Sequence, residues 1–245
     1  MDKLDLRYYL YHAIEPIDYS KEDSLYERLE LFLQIGYIFK GVELAEKIPL
    51  EYRNKVFGCD PYVYFALTVD NMLPKNITSP YGEDSAFMYH IESNLAFMFD
   101  DTIIKKFEII NLPSWICYEV VITSSVPLTM VKALYYPEKN ILDLIELYKT
   151  NTNDEYMLRE ASYLKEVFGK ENEKIKEKLL LVLDNPKKYL DGYYNKVEKI
   201  KEILNAYDYD IPIVSPSGYV LDKQEETKYI NDNYGEVKQL IKKWL

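Results

Sequence analysis

The sequence predicts an α+β fold, and three observations predict it. Up to Pro137 the chain carries strand-forming runs such as Tyr62–Val69 (YVYFALTV) and the β-branched stretch inside Trp115–Tyr136, separated by turn residues. Beyond Pro137 apolar residues recur at three-to-four spacing among Glu and Lys, the pattern of amphipathic helices. Of the 245 residues 48% are hydrophobic and 29% charged, enough apolar material for a core and enough charge to keep its outside wet. The expected division is a mixed domain over residues 1–137 and a mainly helical region over 138–245.

Leu6–Ile14 (LRYYLYHAI) reads as a buried strand, because it is aromatic and aliphatic with no breaker. Ser24 with Glu27 forms a capping-box pattern, and Leu25, Leu29, Phe32 and Leu33 share one helical face that Gly36 ends. A short extended piece follows at Tyr37–Phe39, and Tyr62–Val69 is the second strong strand. Asn71, Pro74, Pro80 and Gly82 mark the next stretch as loop. Ser85–Ile91 and Asn94–Phe99 alternate as short strands, and Ile103–Ile110 reads as another before Pro113. Glu119 then opens the run Val120–Thr123, Ser124 to Pro127 is punctuation, and Met130–Tyr136 is a further strand.

The second half reads as helices over Ile141–Lys149, Glu155–Phe168, Glu173–Leu183 and Val197–Leu204, with breakers at Gly169, Asn185-Pro186 and Gly192. Ile211–Asp222 is an extended or hairpin segment, and a last helix covers Glu226–Leu245.

Charge narrows the function. A formal net charge of −11 opposes binding to a bare phosphate backbone, and no Lys/Arg run is longer than a pair. A protein is therefore the better macromolecular partner. Cys59 and Cys117 are too few for a disulfide framework and lack metal-ligand spacing, which fits a reducing cytoplasm and no metal. The opening MDKLDLRYYLYH is acidic and short in apolar run, unlike a secretion signal, and no segment approaches the roughly 20 apolar residues of a membrane span.

Three separated strand runs carry His12, Tyr64 and Glu119. Each has an ordinary reading: a hydrogen-bonded core histidine, a half-buried tyrosine, a solvated glutamate at a strand end. Taken in order, they sit in motifs that resemble a known family. Leu10-Tyr11-His12-Ala13, a loop, then Leu29–Ile38 is similar to the opening of ADP-ribosyltransferases of the His-Tyr-Glu type. That group contains the poly(ADP-ribose) polymerases and the diphtheria-toxin-like enzymes. Val63-Tyr64-Phe65-Ala66 is similar to the family's Gly-x-Tyr-Phe-Ala strand. Tyr118–Ile122, Val126-Pro127-Leu128 and Val131–Tyr136 look like its closing strand pair.

The resemblance covers about half the chain and implies a split β-sheet core with NAD as substrate. Glu119 would be the catalytic carboxylate, stabilising an oxocarbenium-like ribose as the nicotinamide bond breaks. Tyr64 would wall the nicotinamide ring, with Tyr81 as a second aromatic wall. His12 would hydrogen-bond the adenosine-side ribose, and the Ala13 backbone would meet the nicotinamide amide. Ala13 stands where the family usually has Gly, and Cys117, two residues before Glu119, stands where arginine-modifying toxins carry Gln or Glu. The resemblance thus implies an ADP-ribosyltransferase acting on an unidentified acceptor, a protein before a nucleic acid. The alternative is a catalytically silent binding module of the same fold, as found in bacterial or phage conflict. A phosphate-transferring, RNA-directed relative is disfavoured by the acidic charge.

Overall fold

In the computed structural model, described residues are 1–6, 9–14, 23–39, 63–67, 95–110, 119–146 and 177–244. They form a mixed α+β fold that divides into two compact units. The first comprises Leu4–Pro137 with Ile200–Val214, and the second Met1–Lys3, Glu138–Lys199 and Ser215–Leu245. Residues 200–214, which sequence reading assigned to the helical region, therefore return to the first unit.

The first unit is built on strands β1 (Leu10–Ile14), β3 (Val63–Leu67), β4 (Leu95–Phe99), β5 (Glu119–Ile122), β7 (Val131–Tyr135) and β8 (Ile213–Val214). They lie in the order β5-β3-β1-β4-β7-β8 as one mixed sheet, antiparallel except for the parallel β7–β8 pair. A two-stranded ribbon pairs β2 (Tyr37–Ile38) with β6 (Val126–Pro127). This strand order is not the split sheet that the resemblance implies. The expected closing pair is also separated, with β3, β1 and β4 lying between β5 and β7.

Both faces of the central strands are apolar, so β4 (LAFMF) is buried along its whole length rather than at alternate positions. Helix α1 (Ser24–Ile35) covers one face. Its Phe32 ring meets Phe97 edge-on at 5.7 Å, and Phe65 meets Phe99 edge-on at 5.4 Å. On the opposite face Tyr11 and Tyr135 pack edge-on at 5.8 Å. The α1 helix ends as expected: Gly36 adopts φ 76° and its N–H reaches the Phe32 carbonyl at 2.8 Å. Its start differs from the capping-box expectation. Asp23 is the N-cap, through its backbone carbonyl, and Ser24 lies buried inside the first turn.

Ile103–Ile110 is not a strand. Helix α2 (Thr102–Lys106) occupies its first half, with Asp101 at the N-cap position; just upstream, Asp100 Oδ1 accepts the Thr102 N–H at 3.1 Å and also the Thr102 hydroxyl. Only Ile109 bridges a strand, beside Ile122. Sequence patterning saw the β-branched pair Ile103-Ile104 but not the upstream acid that holds Thr102.

In the second unit residues 141–146 and 177–184 are helical; these are α3 and α4. Helix α5 (Pro186–Ala206) starts in this unit and its last turns belong to the first. Asn185 caps it through Oδ1 to the Lys188 N–H at 3.0 Å, with Pro186 in the first helical position. Gly192, expected as a breaker, sits inside α5 on its exposed side, where a glycine costs only about 1 kcal/mol relative to alanine. The chain closes on α6 (Lys223–Trp244). Among the described residues no helix is long and apolar enough to cross a membrane.

Candidate functional site

The register of β5, β3 and β1 fixes which sequence-predicted residues share a face. Ala66 pairs with Tyr11 on one side and Glu119 on the other, and Tyr64 pairs with Val121. Side chains alternate across a strand, so Tyr11, Ala13, Tyr64, Ala66, Glu119 and Val121 occupy positions on one face. Glu119 and Tyr64 are diagonal neighbours in the register of adjacent strands. Glu119 is the first residue of β5. Farther along, residues 108–110 cover the outer edge of that strand: the Ile110 N–H donates to the Val121 carbonyl at 3.0 Å.

His12 lies on the other face, paired with Phe97. Its ring is edge-on to Phe32 at 5.9 Å and tilted against Phe65 at 5.7 Å. It belongs to the aromatic packing under α1. By register, Ala13, Tyr64 and Glu119 hold positions on one face of the sheet, and His12 holds one on the other. The physical reason is alternation: His12 and Ala13 are consecutive strand residues and must point to opposite sides. Tyr81 lies outside the described residues.

The placement of His12 makes a prediction. His12→Phe exchanges one ring of the aromatic cluster for another and is expected to change stability by less than about 1.5 kcal/mol. A urea melt of the variant checks this, and a loss beyond 3 kcal/mol would show that the imidazole makes an essential polar contact.

The second unit holds a buried polar cluster that sequence reading did not single out. Asn140 and Asp143 cap α3 reciprocally: Asn140 Oδ1 accepts the Asp143 N–H at 2.8 Å, and Asp143 Oδ2 accepts the Asn140 N–H at 2.9 Å. Asp143 Oδ1 accepts two further bonds, from Ser215 Oγ at 2.7 Å and the Ser217 N–H at 2.9 Å. Glu226, on α6, accepts the Ile141 N–H at 3.0 Å and the Tyr194 hydroxyl at 2.6 Å. Asn140, Asp143, Ser215 and Glu226 are all at most 1% exposed. Burial pushes the Glu226 carboxyl up to about 7, against the hydrogen bonds from Tyr194 and Ile141, and the Asp143 charge adds to the rise. Burial likewise raises Asp143 above the ordinary carboxylate range despite its donors. Asn140 Nδ2 is buried without a hydrogen-bond partner. The local signal was present as Asn140-Ile-Leu-Asp143, a capping pattern; the long-range partner Glu226 had none.

No group of three or more His, Cys, Asp or Glu side chains among the described residues is placed to hold a metal ion. The chain matches no family model, no curated protein and no solved structure.

Proposed function

We propose that the chain is an NAD-dependent ADP-ribosyltransferase whose working residues are Glu119 and Tyr64. The observation that carries this reading is the common face of these two residues on adjacent strands. The order of the three motifs along the sequence supports it as well. In the reaction the bond from the ribose anomeric carbon to the nicotinamide nitrogen breaks, and its electron pair leaves with nicotinamide. The acceptor's nucleophile then forms the new bond and loses its proton. A carboxylate beneath the ribose stabilises the positive charge that develops between the two events. Tyr64 would wall the nicotinamide ring, and the Ala13 backbone would meet the nicotinamide amide. His12 has no part in this version, so the adenosine-side ribose is without an assigned anchor. The acceptor is a protein in preference to a nucleic acid, given the net charge of −11.

Tyr64→Ala is expected to weaken NAD binding roughly tenfold, the value of one ring-stacking contact of about 1.4 kcal/mol. Calorimetric titration of NAD into both proteins checks it, and equal affinities would remove Tyr64 from the site.

A second reading has its own observation. The separation of His12 from Glu119 is what a catalytically silent relative, kept as a binding module, would show. Nicotinamide release on incubation with NAD distinguishes the two: release supports transfer, whereas NAD binding without release supports the silent module.

A further inference from the structure

Boundaries between compact units usually fall in exposed segments that few side chains hold. The segment by which the chain enters the second unit at Glu138 is different, because each residue from Glu138 to Ile141 is fastened by a side chain of that same unit. The Tyr193 hydroxyl on α5 donates to the Glu138 carbonyl at 3.0 Å, and the Tyr189 hydroxyl donates to the Lys139 carbonyl at 2.8 Å. Asp143 accepts the Asn140 N–H at 2.9 Å, and Glu226 accepts the Ile141 N–H at 3.0 Å. The Lys196 ammonium pairs with the Glu138 carboxylate.

Residues 189, 193 and 196 are spaced by four and three along α5, so one face of one helix supplies three of these contacts. The rings of Tyr189 and Tyr193 stack at 6.4 Å with 14° between their planes, which presents the two hydroxyls side by side to consecutive carbonyls. The peptide bond from Lys139 to Asn140 has both of its polar groups engaged, the carbonyl by Tyr189 and the N–H by Asp143. Drawing that peptide into a protease cleft requires both bonds to break.

We propose that Tyr189 and Tyr193 are a clamp: they hold residues 138–141 as a fixed strap on α5, and their hydroxyls set how often the strap lifts. A neutral hydrogen bond shifts such an opening equilibrium by roughly fivefold, so losing both hydroxyls raises the lifted population roughly 10- to 30-fold.

The test is trypsin cleavage of the full chain after Lys139, followed by mass spectrometry of the fragments. Wild type is compared with the double variant Tyr189→Phe/Tyr193→Phe, which keeps both rings and removes only the two donors. Where the strap recloses faster than trypsin cuts, the cleavage rate follows the lifted population. Cleavage after Lys139 is expected to be roughly 10- to 30-fold faster in the double variant. Tyr234→Phe is the control, since that hydroxyl donates to the Leu183 carbonyl at 3.2 Å elsewhere in the same unit. It should leave the rate at Lys139 unchanged. Equal rates in wild type and the double variant overturn the clamp. So does an equal acceleration by Tyr234→Phe, which would mark a general loosening of the unit. Should the double variant not fold, the two single changes decide. A roughly fivefold acceleration by either sustains the clamp, and unchanged rates in both overturn it.

Discussion

Glu119→Gln is expected to cut nicotinamide release from NAD roughly 100- to 1,000-fold, the usual consequence of removing one preorganised electrostatic group from a charged transition state. The substitution exchanges a negative charge for a neutral amide of the same size. It therefore keeps shape and hydrogen-bonding reach while withdrawing the negative charge that stabilises the developing positive charge on the ribose. Little stability should be lost, because Glu119 is a strand-opening residue and its backbone pairing with Ala66 does not depend on the side chain. The measurement is the rate of nicotinamide release for wild type and variant, with a circular-dichroism melt of each. Equal rates, with both proteins folded, would mean that any turnover has another source and would end the assignment to Glu119. If neither protein releases nicotinamide while both bind NAD, the silent-module reading stands and Glu119 becomes a ligand contact.

His12 shows where sequence reading stops. The runs carrying His12, Tyr64 and Glu119 are strands, so the elements themselves were legible from β-branched and aromatic content. What no run states is which side of a sheet each residue takes. That depends on register, and one position separates His12, among Phe32 and Phe65, from Ala13 on the opposite side. Pairing order was equally hidden. The β5 and β7 runs are close in sequence, yet β5 closes one edge beside β3 while β7 joins β4, a long-range choice of partner that no local run encodes. Local chemistry was legible wherever a single residue decides it. Gly36 ends α1, and Pro186 with Asn185 starts α5. The β-branched pair Ile103-Ile104 misled because the hydrogen bonds that hold the start of that turn come from an acid upstream, Asp100, outside the apolar run.

Asp143→Ala should be the most damaging change in the second unit, costing about 3–5 kcal/mol, the sum expected when several buried donors lose one shared acceptor. Three donors depend on that carboxylate: the Asn140 N–H, the Ser217 N–H and the Ser215 hydroxyl. Water does not reach Asn140 or Ser215 to compensate, since both are fully buried. Losing the acceptor also frees the turn at Ser215–Gly218, where Gly218 takes φ 89° and Ser215 Oγ accepts the Tyr219 N–H. Urea unfolding of the full chain measures the cost, and Ser215→Ala, which removes one donor and its hydroxyl's acceptor role, should cost about 1–2 kcal/mol. The double variant should then cost little more than Asp143→Ala alone, because the two residues make one bond and share one fate. Additive losses would mean that Asp143 and Ser215 act separately. The same series bears on Glu226: without the Asp143 charge beside it, the Glu226 carboxyl ionises more readily. Asp143→Ala should therefore leave the protein less stable at every pH yet less sensitive to rising pH, a pairing that a simple cavity could not produce.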